Sequence, residues 1–213
     1  MKTTTDRRIC VKTPGRGTRA VLGPEHAGTL MTPEEFDAIK EYEEGWRYEL
    51  IHEVLVVTPI PLEAQVGPNE YLGTLLYLYR QQSPGSRLDA TLPERYVRTK
   101  DSRRLADRVI WVGLGRLPNP KRDVPGIVVE FVSAGKRNRR RDYEEKRKEY
   151  LEIGVVEYWV IDRFERTLTV FRRRRPQKTV VREKETYRST LLPGFALPVA
   201  DVLAVADCWE EVQ

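Results

Sequence analysis

The sequence predicts an α/β (α+β) domain with a mixed central β-sheet flanked by helices. Three observations predict it. Helical and strand patterns follow one another in the order helix, hairpin, helix, several strands, helix, strands. The strand at 126–133, the helix after it and the strand at 156–162 fit a right-handed βαβ crossover. At 213 residues and 40% apolar, the chain can bury the core of one ordinary domain.

Residues 1–30 are polar and carry several Gly and Thr, so a loose N-terminal arm is expected ahead of a domain at 31–213. "TPEEFDAIKEYEEG" carries helix-start signals: Thr32 can cap, Pro33 fits the first turn, Glu35 completes a capping box, and Gly45 follows the expected end. "RYELIHEVLVVTPIP" reads as two short strands joined tightly near His52–Glu53. In "QVGPNEYLGTLLYLYRQQ", Leu72, Leu75, Leu76 and Tyr79 share a helical face that Pro84–Gly85 ends. Arg87–Val97 reads as a strand, "ADRVIWVGLG" as a short buried strand, and Pro118–Pro125 as a loop. A helix is expected over Arg139–Ile153, stopped by Gly154. "VVEYWVID" has the aromatic and β-branched density of a central strand; "RTLTVFR" and "KTVVREK" follow as antiparallel partners. A short helix around Val199–Val205 closes the chain.

No apolar run approaches the roughly 18 residues of a membrane span, and the N-terminus lacks the apolar core of a secretory leader. A chain that stays in the cytoplasm is therefore expected. Cys10 and Cys208 have neither CxxC spacing nor a histidine cluster beside them, which argues against zinc. No Gly-rich elbow surrounds a serine, which argues against a serine hydrolase. The net charge is +5, but its placement says more than its sum. Lys136, Arg137, Arg139, Arg140 and Arg141 form one basic cluster, and Arg172 to Arg175 form another. Such clusters suit phosphate backbones, or simply a solvated surface.

The chemistry centres on "IVVEFV", where five of six residues are apolar and the exception is Glu130. A bare buried carboxylate costs roughly several kcal/mol, so Glu130 needs a cation: a divalent metal, a lysine or an arginine. Asp107 opens another short buried strand. Two strands that each deliver a carboxylate to one region would suit Mg²⁺, which binds oxygen and keeps several waters. On the helix, Tyr143, Lys146 and Tyr150 fall at i, i+3 and i+7, so Lys146 points inward. It could neutralise Glu130, polarise a phosphate, or simply pair with Asp142 one turn earlier. Glu49 is a third acid among apolar neighbours, with a salt bridge near the turn as its plainer explanation.

"RYELI", "ADRVIWV", "VVEFVS", "RRRDYEEKRKEYLEIGVVEYWVID" and "LLPGFALP" follow in order. This series resembles the restriction-endonuclease-like proteins, a bacterial family of the PD-(D/E)XK nuclease superfamily. The likeness covers about residues 31–206, and Asp142 to Asp162 is its most specific part. It implies a restriction-endonuclease-like fold and metal-dependent endonucleolytic cleavage of DNA, with Mg²⁺ or Mn²⁺ as cofactor. It places the superfamily's two metal acids on Asp107 and Glu130, with the carbonyl of Phe131 as a third ligand, and a further family glutamate on Glu49. The usual lysine, two residues past the second acid, is replaced by Val132. In this family a lysine on the following helix substitutes for it, and Lys146 matches. Lys136, Arg137, Arg139, Arg140 and Arg141 would then contact the DNA backbone. Other departures are Ala106 for a proline, His52–Glu53 for Asp-Gly, Ala64 for a histidine, and Ser133–Ala134–Gly135 for Ser-Pro-Ser/Thr. The rival is a DNA-binding or regulatory protein that keeps the fold without turnover; Val132 favours it. A homodimer would suit cutting of both strands, with Trp111, Trp159 or "DCWEEV" as contacts.

Overall fold

The computed structural model describes residues 21–210. Residues 1–20 of the expected arm, Cys10 among them, lie outside the described residues. The described residues divide into two compact units: those up to Ile60 with Lys100–Arg104, and Pro61–Thr99 with those from Leu105.

In the first unit the last ten residues of the expected arm are tied down. Leu22 bridges to Tyr42 and Leu30 to Val54. Gly28 N donates to Leu55 O at 2.8 Å. Helix α1 is Pro33–Ala38 and has the expected capping box: Glu35 N donates to the Thr32 hydroxyl at 3.2 Å, and Thr32 N to the Glu35 carboxylate at 2.7 Å. It does not run on to Gly45. Backbone at Glu41 and Glu43 is diverted to pair with Leu22, and Tyr42 packs against Phe36 and Tyr48. Acids at 41, 43 and 44 would also have opposed the negative end of a longer helix dipole.

Strands β1 (Trp46–Ile51) and β2 (Val54–Pro59) form the expected hairpin. Its two turn residues, His52 and Glu53, both have positive φ, 48° and 64°. That is the conformation a two-residue hairpin turn demands and that Asn-Gly or Asp-Gly adopts most readily. The strained turn is held from outside: Ser102 accepts from His52 N at 3.0 Å, and Glu53 N donates to Asp101 O at 3.0 Å. Asp101 also lies 2.9 Å from His52 Nδ1.

The second unit holds helix α2 (Glu63–Gln82) and strands β3 (Leu88–Arg98), β4 (Arg103–Val112, here from Leu105) and β5 (Ile127–Phe131). A continuous helical segment follows: α3 (Lys136–Arg140), a π-helical turn (Arg141–Lys146) and α4 (Arg147–Ile153). It starts three residues earlier than expected and stops where Gly154 takes φ 114°. Then come β6 (Glu157–Asp162), β7 (Thr167–Arg172), β8 (Arg175–Arg182), the short pair β9 (Thr186–Tyr187) and β10 (Leu197–Pro198), and α5 (Val199–Glu210).

The sheet of this unit is mixed. β4 lies between β3 and β5, and β6, β7 and β8 follow. β5 and β6 are parallel, as the strand–helix–strand reading requires; β4–β5, β6–β7 and β7–β8 are antiparallel. Helices cover both faces. Leu72, Leu76 and Tyr79 of α2 and Val202 and Leu203 of α5 bury against Ile127, Val129, Phe131, Trp159 and Ile161. Tyr150 of α4 buries against Val128, Val132, Tyr158 and Val160. Each large apolar side chain so enclosed stabilises the fold by roughly 1.5–3 kcal/mol. With no water on either face, β5 must be apolar throughout, which is why Glu130 is an exception that needs a partner.

Candidate active site

Alternation puts Asp107, Val109 and Trp111 on one side of β4, and Val128, Glu130 and Val132 on one side of β5. The four apolar residues of these two sets belong to a single buried cluster. Both acids therefore face the same side of the sheet, the one covered by the helical segment. Arg108 pairs with Val129; one step further along this register, Asp107 stands across from Glu130. The ladder opens there, and Asp107 Oδ2 accepts from Phe131 N at 2.8 Å.

Glu130 is 2% exposed. Lys146 Nζ lies 2.8 Å from its Oε2, and the Tyr150 hydroxyl donates to its Oε1 at 3.0 Å. These two contacts offset part of the cost of burying the acid. Lys146 is itself 2% exposed, and Asp142 is 3.8 Å from it. The inward lysine thus meets both acids the sequence offered, with Glu130 the nearer. The π-helical turn helps to aim it. Over four residues an α-helix drifts about 40° from perfect alignment. A wider turn offsets that drift, and Asp142, Lys146 and Tyr150 all come to lie buried. Such turns recur at functional sites.

Burial pushes the Glu130 carboxyl up to about 8; Lys146 pulls it down, and Asp107 and Asp142 push it further up. Burial also raises Asp142, against the pull of Lys146 and Arg141. Tyr158, whose hydroxyl donates to Asp142 O at 2.9 Å, is held well above its ordinary value, by burial first and by these acids second. Burial, more than the neighbouring acids, sets these shifts.

Helix α2 braces the site from the opposite face, through residues the sequence reading did not single out. Gln65 donates to Phe131 O at 3.2 Å and to the Ser133 hydroxyl at 2.6 Å. Asn69 donates to Asp107 O at 2.8 Å, and its own side-chain oxygen accepts from Arg108 Nε at 2.7 Å. The signal was present: Gln65 and Asn69 extend the stripe of Leu72 and Leu76 by helical spacing, and polar residues on a buried stripe imply buried partners.

The oxygens of Asp107 and Glu130 and the carbonyl of Phe131 make an all-oxygen donor set, which suits Mg²⁺ or Mn²⁺. Among the described residues no three acidic, histidine or cysteine side chains gather to hold a metal. A cation here would rest on two carboxylates and a carbonyl, and water would complete its shell. Glu49 belongs to the first unit, where it is buried on β1 opposite Val56.

The basic cluster divides. Arg139 lies 2.6 Å from the fully buried Asp162 and 3.1 Å from Glu165. Arg141 Nε is 3.5 Å from Asp142. Lys136, Arg137 and Arg140 are exposed, and Arg140 stands at looser range from Glu144, 3.6 Å. In the second cluster Arg172 is bonded to Glu157, Thr179 and Tyr187. Trp111 and Trp159, expected as dimer contacts, are core residues instead, while Trp209 is exposed.

A family profile described as "Uma2: Putative restriction endonuclease" matches residues 33–200. The chain belongs to the Uma2 family. Among solved structures this Uma2 chain is similar to one titled "Crystal structure of a putative nuclease belonging to DUF820 from Anabaena variabilis ATCC 29413". The two share 15% identity with a TM-score of 0.66, over 83% of this chain and 99% of that one. At that identity the likeness shows the fold, and the restriction-endonuclease-like fold expected for this Uma2 chain stands. No curated protein matches it. No helix among the described residues is long and apolar enough to cross a membrane.

Proposed function

We propose that this Uma2 protein is an endonuclease that hydrolyses DNA phosphodiester bonds with the help of Mg²⁺ or Mn²⁺. One observation carries the reading: two acids from neighbouring strands face one side of the sheet, with a buried ammonium 2.8 Å from the second. Asp107, Glu130 and the Phe131 carbonyl would hold the cation. Bound there, it would supply a more acidic water and charge stabilisation at the phosphate. Lys146 holds the attacking water or the negative charge that develops on the phosphate. Tyr150 fixes the rotamer of Glu130, while Gln65 and Asn69 fix the backbone at Phe131 and Asp107. Lys136, Arg137 and Arg140 meet the DNA backbone and give affinity with little sequence reading. Arg139 and Arg141, beside acids of the fold, hold the helical segment that carries them.

The test is plasmid nicking with Mg²⁺ or Mn²⁺ by the parent chain beside Asp107→Asn, Glu130→Gln and Lys146→Met. Cleavage by the parent alone supports the reading, and equal nicking by all four chains overturns it. A second reading, DNA binding without turnover, is favoured by Val132, which fills the usual lysine position as a core residue. Binding that persists in chelator, with no cleavage under either metal, would establish it.

A further inference from the structure

Asp142 has no role in the reaction outlined above, yet it is as deeply buried as Glu130. Its Oδ1 makes no hydrogen bond, though Arg141 Nε stands 3.5 Å away and Lys146 Nζ 3.8 Å away. A buried carboxylate oxygen without a hydrogen bond is costly, and natural proteins seldom keep one without a use. Lys146 meanwhile spends its close contact on the oxygen pair a cation would need.

We infer that Asp142 is a positioning residue that takes over Lys146 when Glu130 turns to a divalent cation. The inference rests on the metal reading above. A cation seated on Glu130 and an ammonium 2.8 Å from the same carboxylate repel each other. Lys146 cannot leave for water, because it is enclosed. It can move toward Asp142, where a shift of about 1 Å turns the 3.8 Å approach into a hydrogen bond. Tyr150 keeps its hold on the other Glu130 oxygen throughout. The π-helical turn presents Asp142 and Lys146 side by side, so the exchange needs no unwinding of the helix. Lys146 thereby stays charged and stays at the site, ready to face a phosphate.

The test is Mn²⁺ affinity, measured by calorimetry, in four chains: parent, Asp142→Asn, Lys146→Met and the double variant. The exchange predicts that Asp142→Asn weakens Mn²⁺ binding by about tenfold in the parent, because Lys146 then loses the carboxylate it would move to when the cation arrives. In the Lys146→Met background the same change costs less than about threefold, the residue of losing one nearby negative charge. Equal losses in both backgrounds, or none in the parent, overturn the exchange while leaving the metal reading intact. No saturable Mn²⁺ binding by the parent overturns that reading and the exchange with it. A crystal structure of the parent with Mn²⁺ gives a second measure that needs no variant to fold. Lys146 Nζ within hydrogen-bond reach of Asp142 and withdrawn from Glu130 supports the exchange; Nζ still on Glu130 overturns it.

Discussion

Replacing Glu130 by glutamine should make the metal-free protein more stable at alkaline pH. The carboxyl is lifted from its ordinary 4.5 to about 8, chiefly by burial. Between those values the folded chain holds a proton that the unfolded chain has released. Folding is therefore weakened as pH rises through that window, and the contribution is fully present only below about 4.5. At about 1.36 kcal/mol per pH unit, the full window amounts to at most about 5 kcal/mol. Relaxation and water entry trim this, so a gap of about 2–4 kcal/mol near pH 8 is expected. Glutamine does not titrate and keeps a side chain of the same size, able to accept from Lys146 and to meet Tyr150. Urea unfolding in chelator, near pH 5, 6.5 and 8, should show the two chains nearly level at the low end and the variant increasingly ahead. Adding about 10 mM Mg²⁺ should then restore roughly 1.4 kcal/mol to the parent alone, for a dissociation constant of about 1 mM. A gap that does not grow with pH, or a variant that falls behind near pH 8, would refute the argument.

Other outcomes follow from the same contacts. Because a cation on Glu130 must displace its proton, Mn²⁺ affinity of the parent should climb with pH up to about 8 and then level; a flat profile in a pH-jump titration would count against Glu130 as a ligand. Asn69→Ala removes the acceptor from buried Arg108 and the donor to the Asp107 carbonyl. It should cost about 2–3 kcal/mol in denaturant unfolding and depress nicking beyond what lost stability explains. Glu53→Gly relieves a side chain held at φ 64° and should raise stability by about 1 kcal/mol, read as a shift in the urea midpoint. Neutralising Lys136, Arg137 and Arg140 together should lower the salt slope of DNA binding by about 2 to 3, whereas a change at the exposed Arg80 should leave it unmoved.

What the sequence determined by itself was local or periodic. The alternation around Glu130 requires a strand buried on both faces, Thr32–Glu35 writes a capping box, and Tyr143, Lys146 and Tyr150 mark an inward helix face. Each rests on spacing along one stretch of chain, where side-chain direction is fixed by the backbone period. Even here, local signals were overruled where distant chain competed: α1 stops at Ala38 because Leu22 claims the backbone of Glu41 and Glu43. Only the tertiary structure could decide partnership. It chose Glu130 over Asp142 as the nearer acid for Lys146, brought Asn69 to the carbonyl of Asp107, and drew Arg139 out of the basic cluster to Asp162. Those contacts join residues from separate elements, and whether two charges meet depends on how strands register and helices pack, which no single stretch encodes.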